Sequence, residues 1–255
     1  MKFKVTPYHF DLLKDTSRLS VFYDAIKEYD FNNQTAYDLG SGCGILSYFL
    51  SLFFNEVISI EIDEKTYNCA CENLRNFNNI TVINSDVCEY EFSKKADLIV
   101  CEMLDTALID EEQIPILNYA KKFLKKNGKI IPEALINTAE IVNMQRHYIH
   151  WDENDKNEAF SNPVLYSKIN FRDDINPNFK TSLKFKSNKS GMINGLKITS
   201  YTILSENIIA GPLPMLNPPL LIPLSEKQIN TNDIINVELK YIMGSGIESI
   251  KIKYL

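Results

Sequence analysis

The run Ala36-Tyr37-Asp38-Leu39-Gly40-Ser41-Gly42-Cys43-Gly44-Ile45-Leu46 constrains the fold of this chain more than any other stretch. An apolar segment ends beside an acid, three glycines follow at alternate positions, and an apolar helical segment opens directly behind them. The pattern predicts a strand, a tight turn and a helix start. Glycines spaced this way let the backbone turn sharply and lie against a ligand, because no Cβ intervenes. The helix start presents unpaired N–H groups to whatever sits over the loop.

A second acid follows at the distance a nucleoside site needs. Val57-Ile58-Ser59-Ile60-Glu61-Ile62-Asp63 reads as the next strand, with Glu61 near its C-terminal end. In a βαβ unit an acid about 20 residues after the glycines reaches the ribose hydroxyls. A dinucleotide and S-adenosylmethionine both fit this far. The dinucleotide loop reads G-x-G-x-x-G, whereas the glycines here run G-S-G-C-G with Asp38 just before them. The string from Asp38 to Leu46 resembles the first motif of class I S-adenosylmethionine-dependent methyltransferases. A pyrophosphate suits a helix N-terminus, while a sulfonium and an ammonium suit a nearby acid. The resemblance implies S-adenosyl-L-methionine as cofactor, with Asp38, Gly40, Gly42, Gly44 and Glu61 around it. A structural glycine turn in some other α/β protein is the alternative.

The 255 residues allow one large domain or two modest ones. A net charge of −6 and a pI near 5.2 provide no global basic field for nucleic acid. Cys43, Cys69, Cys71, Cys88 and Cys101 show no C-x-x-C spacing. Disulfide and metal readings therefore fail, and reduced thiols in a cytoplasmic protein fit. No signal peptide stands out, and the longest apolar stretch, 45–54, is too short to span a membrane.

Residues 8–26 suit amphipathic helix covering one sheet edge. From 57 to 132 strand and helix patterns alternate, as in a doubly wound parallel sheet. A helix is expected over 64–77 and a strand over 80–84, followed by Asp86. That acid either faces an adenine amino group, as is common at the end of a third strand, or caps a turn. A fourth strand is expected over 96–102. A helix over 112–127 with Gly128 as C-cap follows, and a fifth strand begins at 129–132. Beyond Pro132, alternating patches at 181–186, 196–204, 234–242 and 247–254 predict an antiparallel β domain, a barrel or sandwich. Residues 211–219 read as an extended connector.

Ligands of open α/β sheets bind beyond the carboxyl ends of the strands. Glu102 ends the fourth strand, and Glu111 follows across the loop 103–110. Two carboxylates brought to one site can clamp a guanidinium in paired hydrogen bonds. Alternatively, Glu111 only favours the start of the next helix. At this point the sequence resembles the protein arginine methyltransferase family, which carries two glutamates flanking a loop at this separation. That family also has an H-F…L-K-D-x-x-R segment, matched by His9-Phe10 and Leu13-Lys14-Asp15-Thr16-Ser17-Arg18. The resemblance implies that Arg18 holds the cofactor carboxylate and that Glu102 and Glu111 hold the substrate nitrogen. Ile149-His150-Trp151-Asp152-Glu153-Asn154 is similar to the family's dimerisation arm, implying a homodimer through 147–170. Asn232-Asp233-Ile234-Ile235 looks like its closing hairpin. The implied fold is α/β: a Rossmann-like, doubly wound methyltransferase domain over 1–132, then an antiparallel β-barrel-like domain over 133–255.

The chain also departs from the family pattern. Its glutamate loop lacks the family's aromatic residues and glycine, and the T-H-W motif expected near Met215-Leu216-Asn217 is missing. The histidine of that motif normally pairs with the aspartate matched by Asp15. The acceptor is thus open between a protein arginine, another amine and RNA. Asn217-Pro218-Pro219 resembles the N-P-P motif of amino-group methyltransferases, but lies far from the end of the fourth strand where that motif acts. An RNA methyltransferase would need a basic patch, for which Lys180, Lys184, Lys186, Lys189 and Lys197 are candidates. A non-catalytic cofactor-binding subunit of a methyltransferase complex is the third reading.

Overall fold

A computed structural model describes residues 3–29, 34–152 and 156–255. The N-terminal stretch is two helices, α1 (Pro7–Lys14) and α2 (Thr16–Glu28), broken at Asp15. Thr6 caps α1 by accepting from the His9 amide, and Pro7 stands where a helix needs no N–H donor. The Asp15 carboxylate caps α2 by accepting from the Arg18 amide at 2.9 Å.

The strands β1 (Thr35–Leu39), β2 (Glu56–Glu61), β3 (Ile80–Asn84), β4 (Ala96–Cys101) and β5 (Leu124–Ile131) form a parallel sheet in the order β3-β2-β1-β4-β5. Helices α3 (Ile45–Ser51), α4 (Glu64–Leu74) and α5 (Gln113–Ala120) connect them. All five residues of β1 are buried, as a strand covered on both faces requires. The strand order steps outward from β1 in both directions, so the loops after β1 and β4 open on one crevice.

The helix expected over 112–127 is shorter than its pattern suggested. It stops at Ala120, one 3-10 turn follows, and Leu124 already pairs with Ala96 of β4. The next paired residue is Lys129 with Leu98, so 125–127 bulge out of the sheet. Gly128 therefore lies in a strand and caps no helix. A Cβ there would stand 2.7 Å from Leu124 Cδ1 and 3.0 Å from the Asp97 carbonyl, which is why glycine is needed.

The rest of the chain is antiparallel. One sheet holds β6 (Ala134–Asn143), β7 (His150–Trp151), β8 (Glu158–Ala159), β9 (Val164–Asn170), β11 (Gly191–Ile203), β12 (Ile209–Ala210) and β13 (Leu220–Ile229). A second holds β10 (Asn178–Lys186), β14 (Ile234–Ile242) and β15 (Lys251–Tyr254) in the order β10-β14-β15. Of the segment 147–170, expected as a dimerisation arm, β7 pairs with β13 while β8 and β9 pair with β6. Glu153 and Asn154 of that motif lie outside the described residues.

The stretch 211–219 is a compact turn and not the extended connector its prolines suggested. The buried Asn217 side chain folds it back, accepting from the Leu213 amide at 3.0 Å and donating to the Ser200 carbonyl and Thr202 hydroxyl at 3.1 and 3.0 Å. Asn217 is thus spent on holding a turn, although the fold brings the adjoining Pro218 carbonyl to the loop after β4, where it accepts from the Thr106 hydroxyl at 2.6 Å. One continuous apolar core runs from Phe22 and Leu39 through Leu108 to Leu196 and Tyr241, joining both halves.

Candidate active site

A cavity of about 260 Å³ opens at the carboxyl ends of β1, β2 and β4. Its floor is the glycine loop, Gly40 to Cys43, and one wall is Glu61 to Asp63. Tyr8, His9, Leu12 and Leu13 of α1 and Arg18 of α2 form the opposite wall. Glu102, Met103, Leu104 and Glu111 line the far end, with Met215 reaching in from the turn before β13.

The loop glycines are required by geometry. Gly40 and Gly42 take φ of 69° and 56°, the left-handed region that L side chains rarely adopt. A Cβ on Gly42 would stand 2.8 Å from His9 Nε2, and one on Gly40 2.7 Å from Met103 Sδ. His9 is held there by Thr6, whose hydroxyl lies 2.7 Å from Nδ1. Burial lowers the pKa of His9.

Glu61 is locked in place by the backbone. One carboxylate oxygen accepts from the Gly42 amide at 2.8 Å and the other from the Asp63 amide at 2.9 Å. Two such charge-assisted bonds fix a carboxylate at the cavity wall.

Arg18 is 3% exposed. One terminal nitrogen bonds the Glu102 carboxylate, while Nε and the other terminal nitrogen have no hydrogen-bond partner. Burial lowers its pKa to about 10 against the pull of Asp15, Tyr8 and Asp38. A buried cation with unused donors at a cavity wall suits an anionic group such as a carboxylate. The second oxygen of Asp15 is likewise buried without a partner. His9, the histidine at this cavity, is engaged with Thr6.

The two glutamates are held by residues that spacing alone did not single out. Fully buried Gln113 brackets Glu102: its side-chain oxygen accepts from the Met103 amide at 3.0 Å, and its nitrogen donates to the Cys101 carbonyl at 2.8 Å. Asp105 gathers the other end of the loop, accepting from the Ile109, Asp110 and Glu111 amides at 3.1, 3.0 and 3.4 Å. Burial pushes its carboxyl up to about 7 against those three donors. Burial also raises the Glu111 carboxyl, with Asp110 and Glu112 adding to the effect. The loop has no glycine, yet Ala107 and Leu108 take φ of 61° and 60°. Such backbone costs about 1–2 kcal/mol per residue. The loop is strapped down from the β domain: Gly244 and Gly246 amides donate to the Leu108 and Ile109 carbonyls at 2.9 Å, and the Ala107 amide donates to the Ser200 hydroxyl at 2.9 Å. Asp105, three residues after Glu102, and Gln113, two after Glu111, were the available signal for this scaffold, and nothing in their spacing set them apart.

Asp38, Gly44 and Asp86 do not line the cavity. Asp38 lies beneath it, 1% exposed, accepting from the Ser47 hydroxyl at 2.5 Å. Gly44 is the N-cap of α3. Asp86 accepts from the Cys88 amide at 2.7 Å, the turn-capping alternative drawn from sequence. Burial pushes the Asp38 carboxyl from 3.8 to about 7, outweighing its hydrogen bond. Across that window the folded chain keeps a proton that the unfolded chain has released, so this group makes stability fall as pH rises. The Tm of the wild type is expected to fall more between pH 4 and 7 than that of Asp38→Asn, which does not ionise. Parallel Tm profiles would assign the pH dependence to other groups.

Residues 36–128 match the family model described as a methyltransferase domain. The chain is 46% identical over 253 residues to an uncharacterized protein of Methanothermobacter thermautotrophicus, covering 98% of each. It is 37% identical over 256 residues to one of Methanocaldococcus jannaschii, covering 99% of this chain and 98% of the other. A probable histone-arginine methyltransferase 1.4 of Arabidopsis thaliana is 30% identical over 129 residues, 48% of this chain and 24% of that protein. Among solved structures, the PRMT1 enzyme–prozyme heterotetrameric complex of Trypanosoma brucei with AdoHcy superposes with a TM-score of 0.79 at 15% identity. The match covers 92% of this chain and 87% of that one, and it shows a shared fold.

Proposed function

The chain belongs to the family of the two methanogen proteins that it matches from end to end, a class I methyltransferase resembling the protein arginine methyltransferases, and on that premise we propose that it is an S-adenosylmethionine-dependent N-methyltransferase acting on an arginine side chain of a protein. The observation that carries this reading is the convergence of Arg18, Glu61, Glu102 and Glu111 on one cavity over the glycine loop.

S-adenosylmethionine supplies the methyl group, as a carbon attached to a sulfonium. The chain's residues fit it. Glu61 presents a fixed carboxylate to ribose hydroxyls, and the unused Arg18 donors suit the amino-acid carboxylate. The glycine loop admits close approach, and His9 and Met103 pack against it. Glu102 and Glu111 orient the nucleophilic nitrogen and offset the positive charge that develops as it attacks. The nitrogen then releases its proton towards this acidic end of the cavity. Holding nucleophile and methyl carbon in near-attack geometry supplies much of the acceleration. A second copy docked through 147–170 belongs to the same reading.

The test is transfer from methyl-labelled S-adenosylmethionine into a lysate of the source cells, split between ribonuclease and protease digestion. Label is expected to survive ribonuclease, to be lost to protease, and to release methylarginine on acid hydrolysis. Label lost to ribonuclease would overturn the protein reading, and cofactor binding with no label in either would favour the non-catalytic subunit.

A further inference from the structure

Side chains along a strand alternate between the two faces of a sheet. In the three-stranded sheet the outward positions carry Lys180, Lys184 and Lys186 on β10, Lys240 on β14, and Lys251 and Lys253 on β15. The single carboxylate among them is Glu238, with the nitrogens of Lys240, Lys180 and Lys253 at 2.7, 3.4 and 3.6 Å. Among the described residues Lys184, Lys186 and Lys251 have no ion-pair partner. The register sets Lys180, Lys240 and Lys251 side by side in one row across all three strands.

This face is not a sample of the composition, because the chain has 33 acids against 27 bases. Like charges directly opposite one another destabilise a sheet. Lysines on edge strands discourage strand addition, but Lys240 lies on the central strand. Of the lysines that the sequence offered for a basic patch, Lys189 is taken by Glu158 at 2.6 Å and Lys197 by Asp152 at 3.3 Å. The other three join a stripe completed by residues more than fifty positions downstream.

We propose that this lysine face binds the phosphodiester backbone of a single-stranded nucleic acid. Lysine is a point charge with three rotatable donors and holds phosphate without demanding one geometry. The face is about 30 Å long for a nine-residue strand and about 10 Å across three strands, the width of one backbone and not of a duplex. It offers no aromatic ring for base stacking, so recognition is independent of sequence. An acidic polypeptide would need apolar anchors at the centre of the patch, and the exposed apolar residues of this face stand at its margins, Ile234 and Ile242 at the two ends of β14 and Leu255 just past the end of β15. From Ile242 the chain enters the turn whose Gly244 and Gly246 amides hold the glutamate loop. Lys240 of the Lys180 row therefore stands about 7 Å, two residues of strand, from the end of β14 where that turn begins. The bound strand lies beside the active cavity, whatever the methyl acceptor is.

The experiment is fluorescence anisotropy of a labelled mixed-sequence single-stranded RNA 20-mer with the full chain, alongside the DNA of the same sequence. Binding is expected to weaken about a hundredfold between 50 and 200 mM salt, as release of counterions from about five phosphates requires. The triple variant Lys180→Gln/Lys240→Gln/Lys251→Gln should bind at least tenfold more weakly, and Lys184→Gln/Lys186→Gln likewise. Lys189→Gln/Lys197→Gln should bind as the wild type does. The proposal is overturned if wild type fails to bind at 50 mM salt, if both stripe variants bind unchanged, or if polyglutamate competes as well as unlabelled RNA. Methyl transfer is read separately, so failure here leaves the proposed activity standing.

Discussion

Glu102→Gln is expected to lower methyl transfer on the order of a thousandfold while leaving the affinity for S-adenosylmethionine equal to or tighter than that of the wild type. The substitution keeps the shape of the side chain and the Gln113 bracket around it, since both bonds of that bracket are to the backbone of Met103 and Cys101. What it removes is the negative charge. A group that meets developing charge in the transition state is worth about 10²–10³ in turnover when lost. Cofactor binding moves the other way because Glu102 and the cofactor carboxylate share one guanidinium. With the charge at 102 gone, the incoming carboxylate meets the unused Arg18 donors without a second anion beside it to repel it or to share the guanidinium charge. Calorimetric titration of S-adenosylmethionine and a single-turnover transfer assay measure the two effects separately. Wild-type turnover in Glu102→Gln would end the clamp reading, and a joint loss of affinity and turnover would recast Glu102 as a residue that positions Arg18.

Much of this site could be read from residues alone, because its parts are local. The glycines, Glu61, and Glu102 at the end of β4 are each fixed by strand–turn–helix geometry within a few residues. The same locality explains why the alternation of strands and helices up to residue 132 was legible. What escaped has non-local causes. Gln113 and Asp105 matter through backbone groups that they reach after the loop has folded, and no period marks them. Strand β6 hides its pattern because Asn137 is buried at a core position, where it bonds Ser167 and Ser200. Strand β13 carries Pro223 at its middle, which argues against a strand. It is accepted at an irregularity, since the partner pairing shifts between Ile193 and Gly195. Lys125-Lys126-Asn127-Gly128 has the composition of a helix end, and only the pairing of Leu124 with Ala96 shows that the strand has already begun. The arginine methyltransferase pattern gave Arg18 and the cofactor carboxylate as a pair, and the structure adds that Arg18 also touches Glu102.

Arg18→Leu is expected to weaken S-adenosylmethionine binding on the order of a hundredfold and to destabilise the fold by about 3 kcal/mol. Removing one partner of a buried ion pair costs about 3–5 kcal/mol, since it strands the other charge. Glu102 keeps 12% of its side-chain surface exposed, which places the cost at the lower end. The binding loss follows from the unused donors on Arg18: hydrogen bonds to a charged group contribute about 1.5–3 kcal/mol each. Instability and lost affinity could share one cause, so the decisive comparison is with 5′-methylthioadenosine, which keeps the nucleoside and lacks the amino-acid tail. If Arg18 grips the carboxylate, Arg18→Lys restores much of the stability but only part of the affinity, because an ammonium cannot offer a planar fork. Both variants should then bind methylthioadenosine as the wild type does. Equal weakening of S-adenosylmethionine and methylthioadenosine in Arg18→Lys would show that the guanidinium shapes the cavity without touching the tail. The coupling drawn from the shared guanidinium would fail with it, since Glu102 would then have no competitor for Arg18.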